Sequence, residues 1–132
     1  MTQYLAPALD DPISLPFWKA LSQSVFMLQQ CTTCGYVRFP AAERCPECWS
    51  PGGMWQEVNP VGTIWSHTTY HRALHPALAD AVPYRVVLVE LDGGPLLPGR
   101  LLGDEAPITG NRVHGVFTTV SADFTMLDWM AT

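Results

Sequence analysis

Between Pro16 and Val25 the apolar residues Phe17, Trp18, Leu21 and Val25 recur at helical spacing, behind a Ser14 that can cap and a Pro16 suited to a first turn. A short N-terminal helix is predicted. The pattern then changes to strand-like pieces: "VFMLQQ", "GYVRFP" and "MWQEV" read as three ribbon strands, with a turn at "SPGG". From Gly62 onward the chain is β-patterned throughout. "GTIWSHTTYH" is rich in β-branched and aromatic residues, and "PYRVVLVELDGGPLLPGRLLG" reads as two strands joined at Asp92-Gly93-Gly94. "NRVHGVFTTV" and "DFTMLDW" supply two more. Five strands in this span suit a small barrel of the OB type. The expected fold is mainly β: an N-terminal helical segment over residues 1–26, a ribbon over 27–58 and a five-stranded OB-fold barrel over 59–132.

Two strands carry extra information. In "RVHGVF", Val113 and Phe117 alternate inward against Arg112 and His114. In "YRVVLVEL", Val86 and Leu88 on one face and Val87, Val89 and Leu91 on the other are all apolar, so neither face is obviously wet. Something must cover the barrel wall: the ribbon, the helix or another protein.

Length and composition fix the scale. The 132 residues are 48% hydrophobic and 14% charged, which suits a folded domain with an ordinary core. Seven Lys/Arg against twelve Asp/Glu give a net charge of −5, a balance that disfavours bulk nucleic-acid binding. No apolar run approaches the ~18 residues of a spanning helix, and the N-terminus lacks the charge and hydropathy of a secretory signal, so no membrane association and a cytoplasmic location are expected. Five tryptophans are many for this length. They are either core and barrel-wall residues or partner-facing, and Phe17, Trp18 and Leu21 form the candidate partner surface.

All four cysteines fall in "CTTCGYVRFPAAERCPEC", as two C-x-x-C pairs: Cys31 with Cys34, and Cys45 with Cys48. Each pair suits a tight knuckle whose backbone N–H groups point at sulfur, and four thiolates complete a tetrahedral site. Disulfides do not suit a chain expected in a reducing compartment. A redox-active pair would need a thioredoxin-like context that "YVRFPAAER" does not offer. Iron fits an S4 site chemically but ranks below zinc. Four cysteines close the coordination shell, so the expected Zn2+ is structural rather than catalytic.

Little else suggests autonomous chemistry. His67, His71 and His75 recur every four residues, but in β-rich surroundings where a metal cage is not expected. There is no serine elbow, phosphate loop or spare cysteine. No catalytic residue is assigned. Arg72, Arg100 and Arg112 fall in or beside barrel strands, and arginine suits phosphate through bidentate hydrogen bonds.

In order along the chain, "FWKAL", "CTTCGYVRFP", "CPEC", "VGTIWSHTTYH", "VPYRVVLVELDGGP", "LLG" and "ITGNRVHGVF" together resemble the DUF35 family of zinc-ribbon and OB-fold proteins. The resemblance implies a helix, a rubredoxin-like zinc ribbon and an OB-fold. It also implies a non-catalytic accessory subunit that stabilises a thiolase-superfamily enzyme (aldolase, thiolase or acyltransferase) and helps form its acyl-CoA site, with steroid side-chain or other lipid metabolism among the settings. On this reading Cys31, Cys34, Cys45 and Cys48 hold the metal, and Arg72, Arg100 and Arg112 contact the phosphates of coenzyme A. The partner is a thiolase-like acyl-CoA enzyme in a heterotetramer of two plus two. Where family members often carry proline and asparagine, this chain has Ala41 and Arg100. The alternative function is an OB-fold and zinc-ribbon module for single-stranded nucleic acid, with Trp65, Tyr70 and Tyr84 stacking bases.

Overall fold

The computed structural model describes residues 4–132, so the first three residues of the expected N-terminal segment 1–26 lie outside the described residues. One helix, α1 (Leu15–Ser22), precedes a ribbon of β1 (Met27–Gln30), β2 (Val37–Arg38) and β3 (Met54–Glu57). The barrel follows as β4 (Val61–Tyr70), β5 (Tyr84–Leu91), β6 (Leu96–Arg100), β7 (Arg112–Thr119) and β8 (Thr125–Ala131), with a 3-10 turn at Pro76–Leu78.

Both ends of α1 depart from the sequence pattern. Ser14 occupies the N-cap position, but its hydroxyl donates to Asp11 Oδ2 at 2.9 Å instead of accepting from the helix. Asp11 also accepts the Ile13 N–H, and these bonds hold its carboxyl below the usual carboxylate range. At the other end the helix stops at Ser22, short of Val25. Val25 N–H reaches Ala20 O and Ser24 N–H reaches Leu21 O, both at 2.9 Å, with Ser24 in the left-handed region at φ 60. This is a Schellman stop with serine where glycine is usual, which explains why periodicity alone overran it.

The ribbon sheet has the order β2-β1-β3, all antiparallel. The barrel sheet has the order β6-β5-β4-β7-β8, and a parallel bridge between Leu101 and Trp129 brings its two edges together. Strand β4 curves because its pairing with β5 slips between Ile64 and Ser66, leaving Trp65 as the bulged, exposed residue. Val87, Val89 and Leu91 point into the barrel beside Ile64, Leu97, Val113 and Trp129. The second apolar face of β5 is partly covered by the chain itself, since Val86 lines a groove with Tyr4, Leu5 and Leu78.

The helix welds the two sheets together. Phe17 and Leu21 belong to one continuous core that contains Phe26 and Leu28 of the ribbon side and Leu97, Leu127 and Trp129 of the barrel. Phe17 meets Trp18 at 5.1 Å, Phe39 at 5.4 Å and Phe26 at 6.2 Å between ring centroids. Each fully buried side chain of this size contributes about 1.5–3 kcal/mol. Phe17 and Leu21, 7% and 1% exposed, are therefore interior residues and not the partner surface expected from the sequence. Trp18 is half-buried. It borders a small crevice with Phe39, Pro98 and Met126. Among the described residues no helix is long and apolar enough to cross a membrane.

Candidate metal centre and barrel surface

The two C-x-x-C pairs fold into knuckles of the same hydrogen-bond pattern. In the first, Cys31 N–H donates to Tyr36 O at 2.9 Å and Gly35 N–H to Cys31 O at 3.0 Å. In the second, Cys45 N–H donates to Ser50 O at 3.0 Å and Trp49 N–H to Cys45 O at 2.9 Å. Gly35 and Trp49 are thus equivalent positions, and both lie in the left-handed region, at φ 82 and φ 65. Glycine adopts that conformation freely, whereas an L-residue with a Cβ carries a cost of order 1–2 kcal/mol.

The knuckles bring the four sulfurs together. Cys31 and Cys48 are 3.6 Å apart, Cys34 and Cys45 are 3.6 Å apart, and all four sulfurs lie within 4.8 Å of one another. A tetrahedron with metal–sulfur bonds of about 2.3 Å has edges of about 3.8 Å. The spacing fits a tetrathiolate metal and is far too long for an S–S bond of about 2.05 Å. Local dipoles support the thiolate form. The N–H groups of Cys34 and Thr33, 3.5 and 3.4 Å from Cys31 Sγ, bring that thiol down to about 6. The Ser50 hydroxyl and N–H lower Cys48. At Cys34 the Tyr36 N–H lowers the thiol, but burial and the Cys45, Cys48 and Cys31 thiols outweigh it and push it up to about 12. Thiols crowded round one point do not all ionise without a cation between them; a divalent metal supplies it. Zn2+ fits this donor set, and with all four positions taken by sulfur its work is to join the knuckles. Among the described residues these cysteines are the one group of metal-capable side chains. His71 lies beyond β4, and His75 Nδ1 accepts Ala77 N–H to cap the 3-10 turn.

Behind the knuckles sits Arg38, which hydropathy did not mark as interior. It is 2% exposed, and its Nη2 donates to Ala42 O at 3.0 Å and Gly52 O at 2.7 Å. One guanidinium thereby ties the first knuckle's strand to the segments on both sides of the second.

On the barrel, the three expected phosphate-contacting arginines are not brought together. Arg112 sits opposite Thr63 of β4, whereas Arg100 lies across β5 from Thr68, about 17 Å further along the strand. Arg112 is engaged by Asp92 in a bidentate pair of 2.7 and 2.6 Å. Arg100 stacks between Tyr4 and Tyr84, 4.0 and 4.5 Å from their centroids, and Tyr84 stacks in turn on Tyr70 at 5.1 Å. Arg72 is exposed in the loop after β4. The Tyr70 and Tyr84 faces expected to receive bases in the nucleic-acid reading are stacked on one another. Arg85, unassigned from sequence, donates to the carbonyls of Gly103 and Glu105 and so holds the β6–β7 loop.

Below this ladder lies a mainly apolar groove of about 300 Å3, bordered by Leu78, Val86, Pro98 and Met126. Its polar end is Asp128, 1% exposed, whose Oδ2 accepts from the Tyr4 and Thr118 hydroxyls, each at 2.6 Å. Burial, followed by the bond to Asp128, pushes the Tyr4 phenol up to about 12. A lone aspartate in "FTMLDW" gives no sequence signal of burial; only its register opposite Val116 in the barrel sets it there.

Comparison with known proteins agrees with this architecture. The rubredoxin-like zinc ribbon domain of ChsH2 matches residues 18–52, and the C-terminal OB-fold domain of ChsH2 matches residues 55–118. A probable enoyl-CoA hydratase alpha subunit from Thermomonospora curvata is 37% identical over 90 residues, 66% of this chain but 27% of that longer protein. A DUF35 domain-containing scaffold protein from Methanocaldococcus jannaschii is 24% identical over 119 residues, covering 87% of this chain and 84% of the relative. Among solved structures, a chain of the Ltp2-ChsH2(DUF35) aldolase superimposes with a TM-score of 0.83 at 26% identity, covering 96% of this chain and 98% of the other. A DUF35 protein of unknown function from Sulfolobus solfataricus shares the fold, with a TM-score of 0.63 at 15% identity over 92% of this chain and 86% of the other. With both halves matched in the same order and the cysteine framework in place, the chain belongs to the DUF35 family of zinc-ribbon and OB-fold proteins.

Proposed function

We propose that this chain is a non-catalytic accessory subunit that binds and stabilises a thiolase-superfamily enzyme and helps form its acyl-CoA site. The observation that carries the reading is the likeness to the DUF35 chain of the Ltp2-ChsH2 aldolase over nearly the full length of both. The chemistry of the chain is consistent with it: a coordination shell closed by four sulfurs offers no open position to a substrate. The hydratase subunit and the scaffold protein among the relatives support a role in a complex acting on coenzyme A thioesters.

In this role the zinc ribbon is a rigid platform. The shared core through Phe17 and Leu21 fixes it against the barrel, so a partner docked on either part meets one body. For contact with coenzyme A, Arg72 stands exposed in the loop after β4, whereas Arg112, also exposed, would first have to release Asp92. A two-plus-two assembly with the catalytic subunit, operating on steroid side-chain or other lipid acyl-CoA, is the finer form of the proposal.

The test is turnover. Zinc-loaded chain alone should leave β-hydroxyacyl-CoA and β-ketoacyl-CoA thioesters intact, and the co-purified complex should cleave or form the carbon–carbon bond faster than the catalytic subunit alone. Turnover by the isolated chain, or tight and salt-sensitive binding to a fluorescent single-stranded oligonucleotide, would overturn the proposal.

A further inference from the structure

Trp49 stands where its own backbone favours glycine. The matching knuckle has Gly35 at the equivalent position with the same hydrogen bonds and the same positive φ, so the fold of a knuckle does not call for a side chain there. Trp49 nevertheless carries the largest side chain available, and it is 70% exposed, so the indole gives the chain little packing in return for the strain. Exposed Met54 begins β3 opposite Gln30, the residue before Cys31, and half-exposed Tyr36 follows the Gly35 knuckle position, so apolar surface flanks the metal end of the ribbon.

We infer that Trp49 is the anchor by which the zinc ribbon docks onto its catalytic subunit, the indole entering an apolar socket whose rim offers a carbonyl or carboxylate to the indole N–H. Buried tryptophans dominate the energetics of interfaces because a large rigid surface is desolvated at small entropic cost, while the N–H finds one acceptor. The metal site contributes by holding the knuckle so that the strained conformation, and with it the direction of the indole, is fixed before the partner arrives. The occupant is the thiolase-superfamily subunit, because the DUF35 chain similar to this one belongs to an aldolase that also contains Ltp2. The inference rests on the accessory reading above.

Its signature is a pair of effects of opposite sign. Trp49→Gly removes both the indole and the strain, and Trp49→Asn keeps a residue that tolerates the left-handed region while removing the apolar surface. The experiment identifies by mass spectrometry the thiolase-superfamily subunit that co-isolates with the wild-type chain. It then titrates that purified subunit against wild-type, Trp49→Gly and Trp49→Asn chains loaded with zinc, and records their melting temperatures. The expected result is at least about tenfold weaker binding for both variants, with the melting temperature of Trp49→Gly equal to or above wild type. Affinity within twofold of wild type overturns the anchor while leaving the accessory reading intact. A melting temperature that falls together with affinity overturns it too, by making Trp49 a packing residue. A wild-type chain that co-isolates no such subunit overturns both.

Discussion

Arg38 and Gln29, directly opposite each other in the ribbon sheet, meet inside it: Arg38 Nε donates to Gln29 Oε1 at 2.9 Å, and the same oxygen accepts Ala42 N–H at 2.9 Å. A sheet this small has few apolar side chains to bury, and this polar pair does the joining instead. Replacing Arg38 by methionine leaves Gln29 Oε1 with one donor fewer and strips the guanidinium from Ala42 O and Gly52 O. The expected loss is about 2–4 kcal/mol, read by urea unfolding of the zinc-loaded protein; Arg38→Lys, which lacks the planar fork, should recover only part of it.

Cys45 is fully buried and its sulfur sits 3.6 Å from that of Cys34, so no solvent ligand can take its place without rearrangement. Cys45→Ala should drop zinc content well below one per chain and lower thermal stability by many degrees, as measured by metal analysis and melting. A chelator should produce the same destabilisation in the wild type. Full zinc content and an unchanged melting temperature in the variant would contradict a four-sulfur site.

Within the barrel, Gly99 allows the Trp129 indole to approach β6 closely. A Cβ there would meet Trp129 Cδ1 and Nε1 at 2.6 Å and Leu127 O at 3.1 Å. Gly99→Ala should therefore cost about 1–3 kcal/mol through overpacking and shift the emission of the buried Trp129 toward the red. The melting temperature should fall even though nothing polar has changed.

The Asp92–Arg112 pair predicts a pH dependence with a definite sign. The Arg112 hydrogen bond holds the Asp92 carboxyl below its ordinary value. The pair's contribution is therefore present above the unfolded pKa of about 3.9 and is lost as pH falls through the lower, folded value. Asp92→Asn should lower the melting temperature slightly at pH 7 and flatten its decline on the acid side of pH 4. The effect is small because both side chains are half-exposed and salt screens them.

The strands were legible in the sequence because β-branched runs and turn residues mark them locally, and the Asp92-Gly93-Gly94 turn lies between β5 and β6 as its composition indicates. The cysteine spacing likewise announced the knuckles. Long-range decisions were not legible. Phe17 and Leu21 lie on a helix whose apolar face suits a partner as well as it suits the chain's own core, and only the docking of α1 between two sheets decides. Arg38 and Asp128 are charged residues buried by register, which composition does not reveal. The Trp49 strain was hidden in plain view, since "CTTCGY" and "CPECWS" align glycine with tryptophan, but the sign of φ needs coordinates.

A chain that works as part of an acyl-CoA enzyme rather than alone should be found with its partner in its own host. The most direct measurement isolates the tagged chain from its own host at moderate salt, identifies what accompanies it by mass spectrometry, and records the absorbance ratio for nucleic acid. A thiolase-fold protein in near-equal amount and an absorbance ratio typical of protein are expected. Nucleic acid in its place, or a chain that emerges alone, would contradict the accessory role.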